Sequence, residues 1–232
     1  LATAGALTGA IALLALFVVV ERRVRWPLVD LSLARNMRFT VLVAAGSIAN
    51  VAYGVTIFLS TVYLQDARGL DPLAAGLVFL GPSAGAAAGG VLSGRLAAGH
   101  PVRVMGVATI LAAASLGLLA AARDWALYVP TLTACGFTLG LVYAFTTVAT
   151  QAVVSPQRAG EAAGIALTVM IVMGGVGVAV ASTMLERLRS TGMSTAGGID
   201  VIFAILAAAL LPAGLLVVAV ASRTADPASE RC

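Results

Sequence analysis

The chain has 232 residues, 60% of them hydrophobic and only 10% charged, and its mean hydropathy is +1.03. Soluble domains carry about 25% charged residues, so a water-soluble fold of this length is excluded. The formal charge of +4 comes from arginines scattered between apolar runs, without the dense basic patch that tracks a nucleic-acid backbone, and this excludes nucleic acid as a partner.

Seven charge-free runs are long enough, at about 20 helical residues each, to cross a ~30 Å hydrocarbon core. They are 1–20, 40–64, 73–92, 104–122, 126–154, 162–185 and 201–221. Every Arg, Asp and Glu falls between or beyond them, as expected when a charge at the bilayer centre costs about 2.5–3.5 kcal/mol. The runs lack the alternation of barrel strands, so the sequence predicts an all-α membrane protein with seven transmembrane helices in a lipid bilayer.

The first run has no basic residue before it, the reverse of a secretory signal peptide, and reads as a chain entering mid-protein. With its start outside, the inner connections hold Arg22, Arg23, Arg25, Arg35, Arg38, Arg95, Arg103, Arg158, Arg223 and Arg231. The outer ones hold Arg68, Arg123, Arg187 and Arg189. This asymmetry obeys the positive-inside rule and places the N-terminus outside and the C-terminus in the cytoplasm. All basic residues are Arg and none is Lys, which, with abundant Ala, Gly and Val, points to a GC-rich bacterial genome.

In the second run Asn50, Tyr53, Thr56, Ser60 and Tyr63 fall within an arc of about 140° at 100° per residue. Ile48, Val51, Val55, Phe58, Leu59 and Val62 occupy the opposite side. The third run repeats small residues at four-residue spacing, Gly81, Gly85 and Gly89, a ridge that lets helix backbones approach closely. The fourth run holds almost no polar side chain beyond Thr109 and Ser115, and the seventh holds none but Ser222 at its edge, so both read as lipid-facing supports. Thr133, Gly136, Gly140, Tyr143, Thr146, Thr147 and Thr150 form a second polar arc on the fifth run, and Gly160 and Gly164 lead into the sixth. Pro82, Pro130 and Pro212 lie inside runs, where a missing amide donor kinks a helix.

The two polar arcs admit two readings. In one, Asn50, Tyr53, Thr56, Ser60, Tyr63, Thr133, Tyr143, Thr146, Thr147 and Thr150 line a shared cavity. In the other, the Ser and Thr hydroxyls bond carbonyls of their own helices, while Tyr and Asn tie neighbouring helices together. Asn50 and Tyr143 favour the first reading, since their polar groups reach beyond their own helix.

An echo links Leu73-Ala-Ala-Gly76-Leu-Val-Phe79 to Glu161-Ala-Ala-Gly164-Ile-Ala-Leu167, 88 residues later. The offset is three helices, as in the inverted repeats of secondary transporters.

Enzymatic readings fail on composition. Gly81-Pro-Ser83-Ala-Gly85 superficially resembles a presented serine nucleophile, but His100, the single histidine, follows in the connection beyond that helix. One His, two distant Cys and no clustered carboxylates make no metal site, and no phosphate-binding loop is present. Cys135 inside a run and Cys232 at the end predict no disulfide.

The connections carry a family resemblance. Glu21-Arg-Arg-Val-Arg-Trp-Pro27-Leu-Val-Asp-Leu-Ser-Leu33-Ala-Arg35-Asn36 resembles the cytoplasmic linker before the C-terminal six-helix domain of 14-helix EmrB/QacA-type drug:proton antiporters of the major facilitator superfamily. Tyr63-Leu-Gln65, Gly69 and Asp71-Pro-Leu-Ala-Ala-Gly-Leu77 are similar to a signature of that family, and Gly94-Arg-Leu96 follows at the inner end. Pro156, Arg158, Gly160, Ala163, Gly164, Gly174, Gly175 and Gly177 resemble its penultimate loop and helix.

The resemblance implies a linker transmembrane helix at 1–20, a cytoplasmic linker at 21–39, a six-helix transporter domain of two three-helix inverted repeats at 40–222 and a cytoplasmic tail at 223–232. It implies the C-terminal half of a bacterial inner-membrane multidrug or metabolite efflux permease working by alternating access, for small amphipathic or cationic substrates, driven by a proton gradient and without other cofactors. It also implies a missing N-terminal half as partner. The alternative is a nonfunctional fragment or a structural membrane subunit. Gly76, Pro82, Gly85, Gly94, Arg95, Arg103, Gly136, Gly140, Arg158, Gly164, Gly174 and Gly175 are expected to serve gating or helix packing.

This chain departs from the family's pattern at Thr168 and Ile171, where Asn and Arg are frequent, and at Ala98, where an acidic residue is common. No carboxylate falls within a run, so any proton relay is expected in the other half. Asp30, Asp66 and Asp71, at span ends, are expected to be solvated charges or helix caps.

Overall fold

The computed structural model describes Leu33, residues 35–96, 100–122 and 124–224, and the isolated positions Gly9, Leu16 and Val19. The expected span 1–20, most of the linker 21–39 and the tail beyond Thr224 lie outside the described residues. Among the described residues there is no strand, and six helical segments are long and apolar enough to cross a membrane. The chain is an all-α, multi-pass membrane protein.

The first span is α1 (Met37–Val62), extended by a π turn over Tyr63–Ala67. Asn36 caps it, its Oδ1 accepting from the Arg38 and Phe39 amides at 3.1 and 3.4 Å. The same side chain's Nδ2 donates to the Val153 carbonyl at 3.2 Å, tying the start of α1 to the end of the fourth span.

The second span is broken into α2 (Pro72–Val78) and α3 (Leu80–Leu96). Asp71 caps α2 by accepting from the Ala74 amide at 2.8 Å, with Pro72 in the first turn, where a missing N–H costs nothing. The break at Phe79 follows from Pro82, whose ring crowds the Val78 carbonyl and offers it no amide. Pro130 and Pro212, by contrast, sit within continuous helices.

Then come α4 (Pro101–Ala121), α5 (Trp125–Ala152), a 3-10 turn at Pro156–Arg158, α6 (Ala159–Ser190) and α7 (Thr195–Thr224). At 32 residues and ~1.5 Å per residue, α6 outreaches a ~30 Å core. Its charged residues Glu161, Glu186, Arg187 and Arg189 therefore fall at its two ends. Gly192, with φ of 90°, supplies the left-handed turn into α7.

The packing has two-fold character. With α2 and α3 counted as one span, the first helix of each triplet packs on the second helix of the other, α1 on α6 and α5 on α3. The two first helices cross each other, and the two third helices, α4 and α7, pack along one another. Inverted three-helix repeats produce this exchange.

Close backbone approach fixes two of these contacts. A methyl group on Gly85 would meet the Thr133 carbonyl at 2.6 Å, one on Gly140 would meet the Ala86 Cα at 2.7 Å, and one on Gly136 would collide with the Pro82 backbone. Gly106 and Gly214 face each other in the same way where α4 crosses α7.

α4 and α7, the fourth and seventh runs of the sequence, pack along one another and still expose Val107, Leu111 and Leu118 on one and Ile205, Leu211, Leu215 and Leu216 on the other, so each is a support with one covered and one open side. Ser115 meets Thr138 of α5, oxygen to oxygen, at 3.1 Å. The least covered spans are α6 and the α2–α3 pair. An apolar helix looks the same in sequence whether lipid or another apolar helix covers it.

Candidate functional site

A cavity of about 390 Å³ opens between α1, α3 and α5. Asn50 and Tyr53 come from α1, Ala86 and Gly90 from α3, and Leu139, Gly140, Tyr143 and Ala144 from α5. Each residue lies within a few positions of the middle of its span, so the cavity sits at half depth.

The crossing of α1 with α5 positions it. Gly46 of α1 lies directly against Thr146 of α5, and the cavity opens beside Tyr53 and Tyr143, further along the same two helices. Gly90 has nothing within 4 Å of where a Cβ would stand, so the α3 wall is open. Tyr143 is 41% exposed, a polar-tipped ring standing free in the opening.

Asn50 is held across the helices. Its Nδ2 donates to the Met170 carbonyl of α6 at 2.6 Å, and Gly174 leaves the space it occupies, since a methyl there would lie 2.6 Å from the same nitrogen. Asn50 therefore both lines the cavity and ties α1 to α6.

The other residues of the two arcs lie away from the cavity wall. Thr56 and Ser60 are buried inside the bundle. Thr133, Thr146 and Thr150 donate to the Val129, Val142 and Thr146 carbonyls of their own helix at 2.7–2.9 Å. Thr147 is half-buried, and its carbonyl accepts a second contact from Thr150 at 3.0 Å. An arc of about 140° is wider than the strip one cavity can occupy, and the remainder faces neighbouring helices or the helix's own carbonyls.

Tyr63 belongs to a different cluster at the end of the bundle. Arg68 Nε donates to its hydroxyl at 2.9 Å, and the guanidinium carbon stands 5.4 Å from the Tyr63 ring centre and 5.9 Å from that of Trp125. Tyr128 packs at 4.7 Å from Tyr63, and Arg189 pairs with Asp66 at 3.0 Å. The π turn after α1 is thereby joined to the start of α5 and the end of α6. Only the Tyr and Trp spacing at the span ends hinted at this cluster.

Of the residues expected to gate or pack, Pro82, Gly85, Gly136, Gly140 and Gly174 make close contacts, whereas Gly76, Gly94, Gly164 and Gly175 have open space where a Cβ would stand. Arg158 pairs with Glu161 at 3.1 Å. Arg95 is exposed at the end of α3, and Arg103 lines a separate cavity at the same end of the bundle. Sequence reasoning missed the apolar members of the half-depth cavity, Ala86, Leu139 and Ala144, which nothing in composition distinguishes from ordinary packing residues.

The sequence profile of the Major Facilitator Superfamily matches residues 1–178 and, in a second overlapping match, 41–231. The chain belongs to the Major Facilitator Superfamily. Within this superfamily of membrane transporters it is similar to the multidrug resistance protein Stp of two Mycobacterium tuberculosis strains, 31% identical over 182 residues. That match covers 76% of this chain and 33% of Stp. It is also similar to the lincomycin resistance protein of Streptomyces lincolnensis, 41% identical over 76 residues, covering 33% of this chain and 16% of that protein. The chain thus spans about a third of the length of Stp.

Proposed function

We propose that this major facilitator chain forms the C-terminal transporter domain of a multidrug efflux permease of the EmrB/QacA type. The half-depth cavity carries the proposal. Substrate sites of secondary transporters lie near the bilayer midplane at repeat interfaces, and here α1 and α5, the first helices of the two triplets, supply Asn50, Tyr53 and Tyr143 at that depth. An apolar cavity with few polar groups suits amphipathic compounds, and the tyrosine rings offer faces to a cation. The names of the two similar proteins support a drug as substrate.

Residues 40–222 are the transporter domain in this proposal, preceded by a linker helix at 1–20 and a cytoplasmic linker at 21–39 and followed by a cytoplasmic tail at 223–232. The first helix starts outside, and the membrane is the bacterial inner membrane. Alternating access needs a second half packed on the less covered spans, α2–α3 and α6. Exposed Leu73, Leu77 and Leu80 on one and Ile171, Val172 and Val176 on the other support that assignment. The described cavity wall holds no carboxylate, so proton coupling is assigned to the other half.

The test is drug accumulation in efflux-deficient bacteria expressing the chain with and without an N-terminal half encoded upstream. Lower accumulation of amphipathic cations with both parts is the expected result. Unchanged accumulation of every compound, with both parts present in the membrane, overturns the proposal in favour of a structural subunit.

A further inference from the structure

A second cavity, about 720 Å³, lies at the arginine-rich end of the bundle, away from the half-depth cavity. Its rim carries two guanidinium groups, Arg38 from the first turn of α1 and Arg103 from the start of α4, with the His100 ring beside them. Its walls are apolar, built from the end of α5 around Val153 and the end of α7 around Val218. No carboxylate is among its described lining residues.

The positive-inside rule explains why arginines collect at this end, but not why those preceding two different spans converge on one cavity. Three described arginines are engaged, Arg158 with Glu161, Arg68 with Tyr63 and Arg189 with Asp66, and none of these lines the cavity. The Arg38 and Arg103 side chains are exposed and make no hydrogen bond or ion pair among the described residues. The start of α4 adds to the field. His100 provides no side-chain cap, which leaves the amides of its first turn and the positive end of the helix directed at the same opening.

A cationic rim above an apolar wall, where a span leaves the hydrocarbon, matches one kind of ligand. We propose that this cavity binds an anionic phospholipid. Arg38 and Arg103 hold its phosphate through charge-assisted hydrogen bonds, and the acyl chains lie along the valine-lined wall. A free phosphate would share the guanidinium chemistry but leave that wall and most of the volume empty.

The test uses the full chain in mild detergent, titrated with phosphatidylglycerol, with phosphatidylcholine and with inorganic phosphate, and read by native mass spectrometry and thermal shift. Phosphatidylglycerol is expected to bind at least about ten-fold more tightly than phosphatidylcholine, a difference of about 1.4 kcal/mol. Arg38→Gln and Arg103→Gln should each weaken it several-fold. The control Arg35→Gln/Arg95→Gln, which removes two charges from the same end outside the cavity, should leave affinity within about two-fold. Arg38→Lys/Arg103→Lys should fold and keep part of the preference, because charge remains while the bidentate geometry is lost. Equal affinity for the two lipids, equal losses in the control, or displacement of the lipid by submillimolar phosphate would overturn the proposal.

Discussion

The amide nitrogen of Asn50, on α1, donates to the main-chain carbonyl of Met170, on α6, at 2.6 Å, through a gap that exists because residue 174 is glycine. Hydrogen bonds between helices in a membrane are worth roughly 0.6 kcal/mol on average and rarely above about 1.7. The contact therefore sets register between α1 and α6 more than it holds the bundle together, and it fixes one wall of the half-depth cavity.

Gly174→Leu should displace Asn50 and cost about 1–3 kcal/mol by overpacking, lowering the unfolding temperature in detergent. Gly175→Leu, one residue on and facing open space, should leave that temperature unchanged. Equal effects would remove the special status of Gly174.

A larger penalty is expected where glycine meets main chain. Gly136→Val should abolish or sharply reduce the folded protein, because the Pro82 backbone of α3 has no room to retreat. Gly90→Val, opening onto the cavity, should fold normally and reduce transport by the reassembled permease. Size-exclusion profiles and export assays on the two variants separate packing from cavity volume.

Tyr143→Ala should alter which drugs are exported without lowering the amount of protein in the membrane, since the ring is exposed and its removal leaves the buried core intact. Export rates for a panel of amphipathic cations and neutral drugs, normalised to membrane abundance, measure this. An unchanged panel would count against a role in the cavity.

Two contacts at the Arg68 end should differ in strength. Arg68→Gln loses a hydrogen bond to Tyr63 and the faces of two rings, and about 1 kcal/mol of stability is expected to go with them. Arg189→Gln breaks a solvent-exposed pair with Asp66, with side chains 35% and 55% exposed, and should change stability by well under 1 kcal/mol. Denaturation in detergent at low and high salt distinguishes them.

Orientation is open to thiol chemistry. Cys135 is buried and does not compete for reagent. Cys232 should react only with membrane-permeant maleimides, whereas Ser194→Cys, exposed in the turn before α7, should label from outside intact cells. Reversed accessibility would invert the topology and move the Arg38 and Arg103 cavity to the other leaflet.

The sequence by itself determined the solvent, the spans and their ends. Run length and the exclusion of charge from hydrocarbon are local properties, so the six described spans fall close to where hydropathy put them, and Asp71 caps a helix as its position implied. Family membership was legible too, because the connections keep short motifs in order. Only the tertiary structure decided which polar residues share a wall. Asn50, Tyr53 and Tyr143 meet in one cavity while Thr146, on the same arc, bonds its own helix and packs on Gly46. A helical wheel gives the direction of a side chain but not what stands opposite, and in a bilayer an apolar neighbour and a lipid tail leave the same imprint on composition. The same limit hid the coverage of α4 by α7 and the meeting of Arg38 with Arg103, residues 65 positions apart that only the folded bundle brings to one opening.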